Sequence, residues 1–167
     1  MGKALITLAS AALLTLSLHA QEEFTFVGAG AQMQTLSFEG NLSSSDSDIN
    51  TFSLQLGKQT RRARTTFTFD YTSDYVAAGL FIDYIPFDTL FGTPKVRPYI
   101  GLNTQYIRYD DDTIDEDGFG FGAQTGLIIY ASETIDIDVG YRYDIIQNSD
   151  LLENNYGFSV SLHYFFE

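Results

Sequence analysis

The chain has 167 residues and a formal net charge of −13, with 14 Phe, 11 Tyr, no Trp and no Cys. That length is one domain's worth, the lack of Cys excludes a disulfide framework, and the acidity argues against nucleic acid or anionic lipid as a bulk electrostatic partner. Richness in aromatics, Thr and Gly without a long helical run predicts an all-β chain.

Met1 to Ala20 reads as a secretory signal peptide: Lys3 supplies the positive start, Ala4 to Leu16 the apolar run and Leu18-His19-Ala20 the cleavage site. The apolar run is shorter than the roughly 20 residues a spanning helix needs, so removal is expected over anchoring. Gln21 follows the cut, which rules out lipid attachment by the lipoprotein route. Removing 20 of 167 residues leaves a mature domain of 147, residues 21–167, and losing Lys3 takes the charge from −13 to −14.

Alternation then marks out strands in succession. Phe24 to Glu39 places Val27, Ala29, Ala31 and Met33 on one side and Gly28, Gly30, Gln32 and Gln34 on the other, with Phe24 and Phe26 sharing the polar side. Gly40 to Asn50 is a polar loop too long for a tight hairpin. Thr51 to Gln59 sets Phe52, Leu54 and Leu56 against Ser53, Gln55 and Gly57, and a basic turn, Thr60 to Ala63, follows. Arg64 to Tyr71 sets Phe67, Phe69 and Tyr71 against Thr66, Thr68 and Asp70; beyond Thr72 to Asp74, Tyr75 to Tyr84 sets Val76, Ala78, Leu80 and Ile82 against Gly79 and Asp83.

A Pro-bearing connection, Ile85 to Lys95, leads into Val96 to Tyr109, where Pro98 belongs near a strand start. After the acidic loop Asp110 to Asp117, Gly118 to Tyr130 opposes Phe119, Phe121, Ala123, Leu127 and Ile129 to Gly120, Gly122, Gln124 and Gly126. Ala131 to Thr134 turns into Ile135 to Asp144, with Ile135, Ile137, Val139, Tyr141 and Tyr143 facing Asp136, Asp138, Gly140, Arg142 and Asp144. The connection Ile145 to Asn154 leads to Asn155 to Phe166, whose Tyr156, Phe158, Val160, Leu162, Tyr164 and Phe166 oppose Asn155, Gly157, Ser159, Ser161, His163 and Phe165.

Eight strands of about ten residues, joined alternately by longer polar loops and shorter turns, predict an eight-stranded antiparallel up-and-down transmembrane β-barrel. The face read as outer carries almost no charge, while Asp70, Asp83, Asp136, Asp138, Arg142 and Asp144 share the opposite face, the inverse of a soluble barrel. The terminal Tyr164-Phe165-Phe166, followed here by Glu167, resembles the assembly signal of bacterial outer-membrane barrels. Arg97-Pro98-Tyr99-Ile100-Gly101 and Asp138-Val139-Gly140-Tyr141-Arg142-Tyr143 look like recurrent strand motifs of the small barrel family that includes the transmembrane domain of outer-membrane protein A and the opacity-type, porin-family barrels.

The resemblance implies export to the outer membrane of a Gram-negative bacterium, both termini on the periplasmic side, and insertion by the outer-membrane assembly machinery. No peptidoglycan-binding domain of the kind some relatives carry is expected. Gly40 to Asn50, Thr72 to Asp74, Asp110 to Asp117 and Ile145 to Asn154 would then face outward, and Arg61, Arg62, Arg64 and Lys95 would gather at the periplasmic end.

Other motifs fail the chemistry they would need. Gly118-Phe119-Gly120-Phe121-Gly122 lacks the third Gly of a nucleotide loop, Thr125 standing in its place, so its glycines are read as making room in a narrow lumen. Asp110, Asp111, Asp112, Asp115, Glu116 and Asp117 fit no calcium-loop register and are expected to form a solvated acidic loop, or at most a loose divalent-cation site. Ser159, Ser161 and His163 share one face, but that face is the lumen, away from lipid substrates. No catalytic, cofactor or metal residues are therefore assigned. In the lumen, Arg142 is expected to hydrogen-bond one or more of Asp138, Asp144 and Asp70 and so plug the bore.

The function expected is that of a monomeric integral outer-membrane barrel with a structural or surface-interaction role and at most a small conductance, because eight strands leave an interior about wide enough for side chains. Its partners would be outer-membrane lipids and lipopolysaccharide, with no nucleic acid. The rivals are an outer-membrane lipid-modifying enzyme of the acyl hydrolase or transferase type and a soluble lipocalin-like carrier, which would need an apolar interior.

Overall fold

The structure, a computed structural model, describes residues 23–38, 46–87, 89–90, 92–111, 115–149 and 151–166. The expected signal segment, Asp112 and Glu167 lie outside these. Eight strands follow one another: β1 (Phe24–Phe38), β2 (Ser47–Gln59), β3 (Ala63–Thr72), β4 (Tyr75–Tyr84), β5 (Val96–Asp110), β6 (Asp115–Tyr130), β7 (Ile135–Gln147) and β8 (Leu152–Phe166). Each pairs antiparallel with its sequence neighbour, and β1 pairs with β8 from Thr25↔Phe166 onward, so the sheet closes into an up-and-down barrel without a free edge. Among the described residues no helix is long and apolar enough to cross a membrane; the strands do the spanning.

The two faces follow the alternation in the sequence. Outside lie the large apolar side chains, among them Leu102 at 70% exposure, Met33 at 69% and Phe158 at 63%. Inside lie Gln32, Asp70, Asp83, Asp136, Arg142 and Asp144, all buried. In water this distribution would leave the folded state with an uninterrupted apolar surface; in a bilayer the apolar ring meets acyl chains and the ladder satisfies every strand's backbone internally.

The strands outrun the expected ones at the loop end. β2 starts at Ser47 instead of Thr51, β6 at Asp115 instead of Gly118, β7 continues to Gln147 and β8 begins at Leu152. Polarity there no longer alternates as it does in lipid, but the ladder continues, with pairs such as Thr35↔Asp48 and Asp110↔Asp115, because antiparallel hairpins need no bilayer to persist beyond it. At the opposite end the β2–β3 and β6–β7 connections are tight, while the β4–β5 connection, residues 85–95, is longer. Thr60 N–H donates to the Ala63 carbonyl at 2.7 Å, and Ala131 N–H to the Ile135 carbonyl at 3.0 Å.

The interior is not polar throughout, as the alternation had implied. Toward the loop end, Leu36, Tyr75, Ile107, Tyr109, Ile146 and Leu152 form an apolar layer inside the barrel. Toward the terminus end, Ile85, Tyr99 and Ile128 form a smaller one. Between them lies the charged section.

An arginine in the outer ring tests the lipid-facing assignment. For Leu102→Arg, near the middle of β5, the unfolding free energy in lipid vesicles, measured with denaturant, should fall by about 2–4 kcal/mol. A change within about 0.5 kcal/mol, as at an ordinary water-facing site, would contradict it.

Candidate functional site

The charged lumen is built on two arginines. Arg142 on β7 sits with Nη2 3.2 Å from Asp70 Oδ2 and Nε 3.6 Å from Asp144 Oδ2, and its Nη2 also donates to Gln34 Oε1 at 2.6 Å. Gln32 Nε2 donates to the other Asp70 oxygen at 2.7 Å, and Gln105 Nε2 to Asp144 Oδ2 at 2.6 Å. Asn155 Nδ2 shares Gln34 Oε1 at 2.7 Å. Asp138, expected beside Arg142, is instead held by Arg64, whose Nη1 lies 2.6 Å from Asp138 Oδ2 and whose Nε lies 2.9 Å from Asp83 Oδ2. Tyr99 O–H donates to Asp138 Oδ1 at 3.0 Å, and its ring lies under the Arg64 guanidinium at 4.6 Å.

Arg64 therefore does not gather with the basic residues at the barrel's rim. Its position in β3 puts it in phase with Thr66, Thr68 and Asp70, all buried, so the alternation contained the signal although the basic turn beside it suggested otherwise. Gln34 likewise stands in phase with Gln32. Nothing local, however, marks either residue as a partner of Arg142. Between the two arginines a cavity of about 40 Å³, bordered by Thr68 and Phe81, has room for ordered water but for no larger solute.

Glycines make these contacts possible. Asp83, Gly101 and Gln124 stand in one row on β4, β5 and β6, and Gln124 Nε2 donates to Asp83 Oδ1 across the glycine. A Cβ on Gly101 would meet that carboxylate and the Ile82 carbonyl. Arg142, Gly157 and Gln34 form a second such row, and His163, Gly28 and Gln55 a third. In the last, His163 Nε2 meets Gln55 Oε1 over Gly28, and Nδ1 lies 2.8 Å from Asp136 Oδ1. Both imidazole nitrogens are thus engaged. Ser161 Oγ accepts from Gln55 Nε2 at 3.0 Å, so the amide stands between the serine and the imidazole where a nucleophile would need direct contact with its base.

The acidic hairpin end is divided among separate partners. Arg108 Nη2 lies 3.2 Å from Asp110 and 3.4 Å from Asp115, Tyr106 O–H donates to Asp117, Tyr109 O–H donates to Asp111, and Ser149 Oγ donates to Glu116 at 2.7 Å. Among the described residues no three acidic or histidine side chains gather at metal-binding distance.

A buried guanidinium held by carboxylates leaves uncompensated charge when one side is deleted. Arg142→Ala should lower stability in detergent by roughly 3–5 kcal/mol through the stranded Asp70 and Asp144, and raise single-channel conductance in a planar bilayer. An unchanged denaturation midpoint with unchanged conductance would reduce Arg142 to a rim charge.

No curated protein matches the chain. Among solved structures it is similar to Neisserial surface protein A, with 18% identity, 85% of this chain and 97% of that one covered, and a TM-score of 0.64. Outer membrane protein H of Pseudomonas aeruginosa follows the same course at 19% identity, covering 86% and 99%, with a TM-score of 0.57. The attachment invasion locus protein of Yersinia pestis does so at 11% identity, covering 87% and 99%, with a TM-score of 0.51. At these identities the likeness is one of fold: the small, closed outer-membrane barrel. Residues 6–166 match the family described as the outer membrane protein beta-barrel domain, so the chain belongs to that family of Gram-negative outer-membrane proteins.

Proposed function

We propose that this barrel serves the outer membrane as a rigid, surface-presenting scaffold with a structural or interaction role and at most a small conductance. The observation that carries the reading is the filled bore, in which two layers of apolar side chains enclose carboxylates paired with Arg64 and Arg142. Such an interior neither holds a ligand of drug size nor passes nutrients, which leaves the ends of the barrel as the parts able to meet partners.

The two ends differ in charge. Asp46, Asp48, Asp74, Asp110, Asp115 and Glu153 crowd the loop end, where Arg108 is held between two of the acids, whereas Lys58, Arg61, Arg62, Lys95 and Arg97 lie toward the termini. With the termini in the periplasm, the acidic end meets the lipopolysaccharide layer, and Mg²⁺ or Ca²⁺ bridges carboxylate to phosphate. The Yersinia protein has been solved with the heparin analogue sucrose octasulfate, a polyanion. An acidic rim would repel such a molecule, so an outward partner of this chain is cationic or cation-bridged.

Epitope insertion tests the orientation. A tag after Thr113 should be reached by antibody on intact cells, and one inserted between Arg61 and Arg62 only after permeabilisation. The reverse pattern would put the acidic end in the periplasm and end the lipopolysaccharide reading.

A further inference from the structure

We propose that the mouth of the barrel at the terminus end is a binding site for a small monoanionic carboxylate carried on an apolar, ring-sized body. The mouth opens into a cavity of about 430 Å³, within the range of roughly 300–1,000 Å³ typical of small-molecule sites. Its walls include Phe24, Gln59, Arg97, Tyr130 and Phe165. Below them the buried cluster of Ile85, Tyr99 and Ile128, against which Tyr130 packs, closes the floor. The site is a cup and not a passage.

Arg97 supplies the recognition. The two arginines deeper in the lumen are each held by a pair of carboxylates, but Arg97, half-buried on β5, has no carboxylate partner among the described residues. Its guanidinium instead lies 5.0 Å above the Tyr130 ring, and its Nε is buried without an acceptor. Stacking on an aromatic face holds the guanidinium plane in place while leaving its N–H groups free for an incoming anion. Tyr130 is itself fixed, its hydroxyl accepting from Gln59 Nε2 at 2.5 Å. Gln59, 5% exposed, is itself buried and so holds Tyr130 in place.

Charge and shape select the ligand class. Arg97, with no carboxylate partner among the described residues, brings one positive charge to the mouth that one carboxylate neutralises, and Glu133 on the rim opposes a second anion. Phe24 and Phe165 give that carboxylate's body an apolar wall. A planar carboxylate also matches the guanidinium fork in a way that a point charge does not.

Benzoate is the probe, added to the mature protein refolded in micelles and followed by NMR. It should shift the resonances of Phe24, Arg97, Tyr130 and Phe165 saturably and leave Tyr75 and Tyr109 at the other end unmoved; benzylamine should not saturate. Arg97→Gln should weaken benzoate by about tenfold or more, since a charge-assisted pair is lost. Glu133→Gln, at an exposed position of the β6–β7 turn, should tighten it. Absence of saturable shifts, equal affinity in a folded Arg97→Gln protein, weaker binding by Glu133→Gln, or saturation by inorganic phosphate but not benzoate would each overturn the assignment. None of these readouts depends on which way the barrel faces.

Discussion

The structure depends on fitting paired charges into a bore that side chains fill, as eight strands require. A carboxylate or guanidinium placed there without a partner would cost several kcal/mol in desolvation. The strands therefore have to bring opposite charges from distant parts of the chain into register. Glycine is the means. Where a lumen position is empty, the residues on the strands to either side reach each other over it, as Asp83 and Gln124 do over Gly101, and Arg142 and Gln34 over Gly157. The same gap cannot accept a methyl group, because Cβ would collide with the bridging atoms or the neighbouring carbonyl. Space and charge pairing are thus one constraint, and the barrel's narrowness enforces it.

The outside follows a simpler rule. Nothing there needs a specific partner, only an apolar surface at the right depth, and β-branched, leucine and aromatic side chains supply it interchangeably. Beyond the lipid the rule changes again. The hairpins of β5–β6 and β7–β8 continue as water-facing ladders on which Asp110, Asp115 and Asp117 each find a local partner, and these extensions lift the acidic residues clear of the apolar ring. The longer strands thus pass from a lipid-facing section, with burial on the inside and oil on the outside, into a section set by water.

A filled interior also separates stability from activity. Ser161, His163 and Asp136 are drawn together by β7 and β8, yet Gln55 from β2 occupies the imidazole nitrogen that a nucleophile would use. The arrangement secures buried polar groups in the way a packed lumen must, and Phe26, 4.6 Å from the imidazole, covers it. Arg97 is the contrast. It has the same side chain as Arg64 and Arg142 and stands on the inward face, but at the mouth, where the cup is wide enough that no strand delivers a carboxylate to it.

Strand number, strand order and the facing of nearly every residue were legible in the sequence, because side-chain direction in a strand alternates with backbone geometry alone and lipid rewards an apolar face with no partner specified. The apolar layers around Tyr75 and Tyr99 were less legible, since an apolar residue in the inward phase looks like an exception to the pattern until its neighbours are known. Partnership was legible only in part: Asp70 and Asp144 do hold Arg142, as their shared face suggests, but the pairing of Asp138 was not legible. That Asp138 belongs to Arg64 and not to Arg142, its near neighbour in sequence on the same face, follows from how the ladders slide past one another around the closed barrel. Register and closure place residues many strands apart at one height, and no stretch of chain shorter than the whole barrel contains that information.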